Sequence, residues 1–249
     1  MITIQDLQKR HSVRSFTDKP LTDSQLKGLN AVITDVNTHE AGVKFQLITN
    51  DPEPFRGFSR GYGMFKGVRN YVACVVDTTY KWWLERAGYC GMQVMMKACQ
   101  LGLGTCFVGG TYSAAHVAAR IRVGEKMPFI IALGDPAQKE QTGISGLLMK
   151  FMHRKKVSAE DFLVSKIPLS EIDQAVPGFA EGLEAVSLAP SSLNKRPVRI
   201  HVRREAGEMV VEASVPAGSE ADLGIAMYSF QCVCPGAWDW GNPARFYNS

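Results

Sequence analysis

The 249-residue sequence predicts an α+β fold, with helices flanking central antiparallel or mixed sheets. Three observations carry that prediction. Apolar runs of strand length recur at 43–49, 71–77, 128–135, 198–204 and 208–215. Two longer and mostly apolar stretches, 83–101 and 221–232, have the length and all-round hydrophobicity of buried helices. The order helix, turn, strand, strand, apolar helix occurs twice along the chain, so two layered halves are expected.

Thr3 and Asp6 stand at capping-box spacing and open a short helix that should end near Arg10–Arg14. Thr22 and Gln25 repeat the device after Pro20. The helix they open places Leu26, Leu29, Ala31, Val32 and Ile33 on a half-buried face. Residues 43–49 alternate and read as a strand. Residues 51–70 are rich in Gly and Pro and read as an irregular connection. The continuous run 71–77 is a central strand. The helix over 83–101 stops at Gly102, a fitting left-handed cap. T-C-F-V-G-G (105–110) is a short strand with a glycine end, and 128–135 is another buried strand.

The second half starts near Ser158. Its strands 198–204 and 208–215 are joined through Glu205, Ala206 and Gly207 as a hairpin. P-L-T-D (20–23) recurs as P-L-S-E (168–171), and L-N-A-V (29–32) as L-E-A-V (183–186). These echoes divide the chain into residues 1–157 and a shorter half, 158–249, which ends in the aromatic tail W-D-W-G-N-P-A-R-F-Y.

A net charge of +4 is mild, and no generic nucleic-acid stripe is visible; a small anion such as a phosphate needs only a few cations. The basic residues cluster only at Lys150 and His153–Lys156. No apolar run is long enough to span a membrane and the N-terminus has no apolar signal region, so a cytoplasmic protein without membrane or nucleic-acid partners is expected. The six cysteines and five histidines show no metal spacing. Cys232 and Cys234 read as packed thiols, with a redox pair as the alternative.

Three stretches carry candidate ligands. Arg10, Ser12 and Arg14, around His11, offer two guanidiniums and a hydroxyl, a set that suits a phosphate dianion. A-P-S-S-L-N-K-R (189–196) holds Pro190, Ser191, Ser192 and Asn194, which either cap a turn or bind a polar ligand. Phe107, Val108, Gly109 and Gly110 close a strand on two glycines, the residue that lets a main chain come close to a planar ring. Leu103, Phe107 and the methionines Met92, Met95 and Met96 are the residue types of a core.

Together R-H-S-V-R-S-F (10–16), L-G-L-G-T-C-F-V-G-G (101–110) and A-P-S-S-L-N-K-R-P (189–197) resemble the FMN-dependent nitroreductase family. The chain looks most like its long subgroup, the "putative TM nitroreductases", in which one chain carries two nitroreductase-like halves. The resemblance implies FMN, with Arg10, His11, Ser12 and Arg14 at its phosphate. Arg154 and Lys155 join them there, Pro190, Ser191, Ser192 and Asn194 lie at the ring rim, and Phe107–Gly110 run near flavin N5. It also implies that NAD(P)H delivers a hydride to the flavin and that a nitroaromatic or quinone then takes the electrons. No side chain is required as a catalytic acid or nucleophile.

In short members of the family, two chains share each flavin. Here half one lacks the P-S-x-x-N turn, its slot reading T-D-V-N-T-H-E-A-G (34–42). Half two lacks R-x-S-x-R, its slot reading L-V-S-K-I (163–167). A monomer acting as an internal pseudo-dimer with one FMN is therefore expected. Arg196 stands where the family usually carries glutamine, which keeps open a flavin store or sensor without turnover. A specialised flavin dehydrogenase or dehalogenase is the other alternative.

Overall fold

The computed structural model describes residues 2–56, 64–137 and 157–248. They form two compact units, and the division is not one cut in the sequence. One unit takes the described residues of Met1–Lys9, Leu84–Met92 and Lys155–Ser249; the other takes those of Arg10–Trp83 and Gln93–Arg154.

The unit built mainly from the first half holds a four-stranded sheet of order β1-β2-β4-β3, antiparallel throughout. Its strands are β1 (Val43–Ile48), β2 (Asn70–Asp77), β3 (Gly104–Val108) and β4 (Glu125–Gly134). β2 is buried on both faces, as its unbroken apolar run predicts. Tyr71 and Ala73 join Val13, Phe16, Val108, Ile130 and Ala132 in one core. Helix α2 (Asp23–His39) packs beside β1. Thr22 and Gln25 form the expected reciprocal cap of α2. Leu29, Ile33 and Val36 are buried on it, whereas Ala31 lies on the wet face.

Helix α3 (Trp83–Gln100) belongs to this unit by its second half, where Val94, Met95, Met96 and Ala98 are wholly buried. The helix ends as the sequence predicts. Gly102 takes φ +78°, Gly102 N–H bonds Cys99 O at 2.9 Å and Leu103 N–H bonds Ala98 O at 3.0 Å. That is a Schellman closure.

The other unit holds a five-stranded mixed sheet of order β5-β6-β7-β9-β8. The strands are β5 (Leu163–Val164), β6 (Arg199–Glu205), β7 (Glu208–Ser214), β8 (Gly236–Trp238) and β9 (Ala244–Asn248). β6 and β7 make the expected hairpin; Ala206 and Gly207, both at positive φ, are its two-residue turn. The aromatic tail is not a tail: it is the β8–β9 hairpin, and β9 pairs with β7. Phe230 meets Phe179, Trp238 and Phe246 edge to face at 5.0–5.7 Å, and Trp238 lies tilted against Phe246 at 5.0 Å, each contact adding about 0.5–1.5 kcal/mol beyond burial.

Helices α4 (Leu169–Ala175) and α5 (Phe179–Leu188) correspond in order to the single α2; Pro177 and Gly178, the latter at φ +87°, divide them. Helix α1 (Ile4–Lys9) touches α5 through Gln8 Nε2, which donates to Glu184 Oε1 at 2.9 Å. The first half of α3 crosses α6 (Glu220–Gln231) without side chains in between. A Cβ on Gly224 would stand 1.8 Å from Glu85 O, and one on Gly88 would stand 2.1 Å from Ala221 O.

Candidate functional site

α1 ends at Lys9, so Arg10, Ser12 and Arg14 do not continue a helix as expected. The chain instead runs beside β3: Ser12 bridges Thr105 in parallel, and Val13 N–H bonds Thr105 O at 2.9 Å. Their spacing of two therefore works with strand alternation. Arg10, Ser12 and Arg14 all lie around Cys106, whose thiol bonds Ser12, while Val13 is buried in the core and His11 is exposed. Arg10 Nε and Nη1 are shielded from solvent, and burial lowers the pKa of that guanidinium, an effect the neighbouring Cys99 and Cys106 oppose. Burial raises the Cys106 thiol, so it stays neutral beside the arginines. The shielded Arg10 guanidinium with half-buried Arg14 and Ser12 beside it suits an anion.

β3 carries this cluster towards Gly109 and Gly110. Val108 is a core residue, and Phe107 is half-buried, meeting Phe129 edge to face at 5.1 Å. The two glycines that follow are exposed. Neither has a positive φ in the range that excludes other residues, and a Cβ at either would meet nothing within 4 Å. The fold itself makes no demand for glycine there.

The turn Pro190–Arg196 belongs to the other unit. It is tightly wound: Leu193, Asn194 and Arg196 have φ +51°, +54° and +53°. Such left-handed residues cost energy and persist where the surroundings enforce them. Ser191 Oγ accepts from Arg196 N at 2.9 Å, Asn194 Oδ1 accepts from Arg196 Nε at 3.2 Å, and Asp222 Oδ1 accepts from Ser192 N at 3.0 Å. Asp222 lies in the first turn of α6 and is buried, and burial raises its pKa. Sequence reading missed Asp222, although its place three residues after Ser219 marks it as a first-turn carboxylate. It also missed that Arg196 fastens the turn.

Arg154 and Lys155 lie outside the described residues. Cys232 and Cys234 are free thiols raised by burial to about 11 and about 12, which speaks for packing rather than redox chemistry. Among the described residues no cluster of His, Cys, Asp and Glu could hold a metal, and no helix is long and apolar enough to cross a membrane.

The two sheets and six helices of the described residues make a nitroreductase-like α+β fold. The chain belongs to the family described as "Putative TM nitroreductase", whose model matches residues 3–234. A solved "putative nitroreductase" from Thermotoga maritima is 19% identical with a TM-score of 0.59, over 98% of this chain and 92% of that one. An FMN-dependent nitroreductase from Clostridium difficile is 18% identical with a TM-score of 0.44, over 62% of this chain and 100% of its own. A "putative nitroreductase" from Desulfovibrio desulfuricans, solved in complex with FMN, is 20% identical with a TM-score of 0.42, over 58% of this chain and 93% of its own. No curated protein matches.

Proposed function

We propose that this chain binds FMN and uses it to pass electrons from NAD(P)H to a small nitroaromatic or quinone acceptor. The observation that carries the reading is Gly109–Gly110: two exposed glycines that neither backbone geometry nor packing requires, at the end of the strand that carries the arginine cluster. Two exposed glycines with open space in front of them leave the main chain free for close approach by a planar ligand.

Arg10, Ser12 and Arg14 fit a phosphate by charge and by hydrogen-bonding type, with Arg154 and Lys155 carried over from the resemblance. In the other unit, Asp222 and Arg196 hold the Pro190–Asn194 turn, so that Ser191, Ser192 and Asn194 present hydroxyl and amide groups in fixed positions. Bound FMN supplies the hydride and electron chemistry; the chain binds it, orients it and sets a positive field at its phosphate end.

The purified protein is expected to show flavin absorbance, and the released cofactor to run as FMN on chromatography. The motifs offer one phosphate cluster and no dinucleotide-type glycine loop. FAD, or no flavin even after incubation with FMN, would overturn the reading. Arg196, engaged twice in the turn where the resemblance expects glutamine, favours a second reading: a flavin store or sensor. Steady-state NAD(P)H oxidation with a quinone separates the two.

A further inference from the structure

One end of the four-stranded sheet carries an exposed surface for which the proposed flavin chemistry has no use. Among the described residues seven large hydrophobic side chains are exposed, and four of them sit here: Tyr80, Trp82, Ile121 and Val123. They stand on two neighbouring turns. Asp77 at the end of β2 pairs with Glu125 at the start of β4, and Thr78 Oγ1 donates to Gly124 O at 3.4 Å. Val123 is open on every side and projects as a tip, while Tyr80, Trp82 and Ile121 are each a little under half exposed.

The charges around these side chains are one-sided. Lys81, Arg120, Arg122 and Lys126 are exposed and, among the described residues, none is in an ion pair. The two carboxylates at this sheet end, Asp77 and Glu125, are turned to local work. Glu125 meets Lys44 Nζ at 3.9 Å and accepts from Arg122 N at 2.7 Å; Asp77 accepts from Thr79 N and Oγ1 at 2.9 and 2.7 Å.

We propose that the surface formed by Tyr80, Trp82, Ile121 and Val123, with Lys81, Arg120, Arg122 and Lys126, docks the chain on an anionic lipid surface. This departs from the sequence expectation of no membrane partner. A second copy is disfavoured, because the same cations would face each other. Nucleic acid fits less well: bases stack on open aromatic faces. Tyr80 lies against Gly42, where a Cβ would stand 2.6 Å from its ring, and Ile121 and Val123 offer no ring, which leaves Trp82 as a single stacking face. A projecting valine, a part-exposed isoleucine, a tryptophan and a tyrosine, with lysine and arginine stems around them, suit a lipid interface.

The test is sedimentation of the full chain with vesicles of phosphatidylcholine containing phosphatidylglycerol, beside vesicles of phosphatidylcholine alone. Binding is expected to the anionic vesicles only, and to be lost at high salt. Arg120→Glu with Arg122→Glu should weaken it by at least about tenfold, since each cation near such a surface contributes measurably. Trp82→Asn, chosen because asparagine tolerates the left-handed conformation of Trp82 (φ +59°), and Val123→Ser should weaken it while circular dichroism melting is unchanged. Failure to sediment with anionic vesicles, equal binding to neutral ones, or binding that survives these variants overturns the proposal. Retention on single-stranded DNA or polyglutamate instead of vesicles would assign the surface to another partner and overturn it too.

Discussion

Asp222 is a buried carboxylate that accepts from Ser192 N–H, at the start of the strained Ser192–Asn194 turn. Asp222→Ala removes that acceptor and should cost about 1–3 kcal/mol, the usual penalty for a buried unsatisfied donor. Asp222→Asn keeps an acceptor and removes the charge. Burial raises the folded-state pKa of Asp222 above its unfolded value. Its contribution is therefore greatest below the unfolded value, about 3.9, and is lost as pH rises through the raised folded value. Thermal melts should show Asp222→Asn at least as stable as the parent at neutral pH, with the gap closing on acidification. A variant that is less stable at neutral pH would mean that the charge itself holds the turn. Arg14→Ala should weaken FMN binding to apo-protein by about 1.5–3 kcal/mol, the range for a hydrogen bond to a charged group. Unchanged affinity on titration would move the phosphate site elsewhere. Residue types alone made Arg10, Ser12 and Arg14 legible as an anion set. Their placement was not legible, because a spacing of two suits a strand and the preceding cap pointed to a helix. Asp222 was hidden because first-turn carboxylates are common and only the fold brings Ser192 to it.

At the scale of elements, the glycines separate packing from ligand contact. Gly224→Ala would put a Cβ 1.8 Å from the Glu85 carbonyl, backbone that cannot step aside. Overpacking of this kind typically costs about 1–3 kcal/mol, and the α3–α6 crossing should show it as a lowered Tm. Gly109→Ala has open space and an unrestricted backbone, so its stability should match or exceed the parent by about 0.4–1 kcal/mol through the unfolded chain. Under the proposed function it should nevertheless lower FMN affinity. An unchanged affinity in Gly109→Ala would make the glycine pair an ordinary strand end. The helices were largely readable because caps are local chemistry: Thr22 with Gln25, and Gly102 after α3, act within a few residues. β8 and β9 were not readable. Each is short, the residues between them, D-W-G-N-P, look like a loop, and only pairing with β7 makes them strands. The break between α4 and α5 falls at Pro177-Gly178, residues that stop a helix by local chemistry.

At the scale of the whole chain, the repeated order of elements was legible because two strands and an apolar helix recur as patterns of period and length. The membership of the compact units was not: residues 2–9 and 84–92 group with the later part of the chain, a long-range association that no local pattern records. Sequence retention nevertheless bears on stoichiometry. Arg10, Ser12 and Arg14 occur only in half one, and Pro190, Ser191, Ser192 and Asn194 only in half two. A second set would have to come from T-D-V-N-T-H-E-A-G (34–42) and L-V-S-K-I (163–167). The first now proves to be the end of α2 and its exit turn, where Asp35 is engaged with His39 at 3.1 Å. The second starts as the edge strand β5 and leaves Lys166 as the lone cation for a phosphate. One lysine in place of two guanidiniums forfeits the bidentate match and most of the charge. The protein saturated with FMN should therefore carry one flavin per chain, measured as flavin absorbance against amino-acid analysis. A ratio near two would mean that the degenerate slots bind as well, and would refute the model of complementary loss.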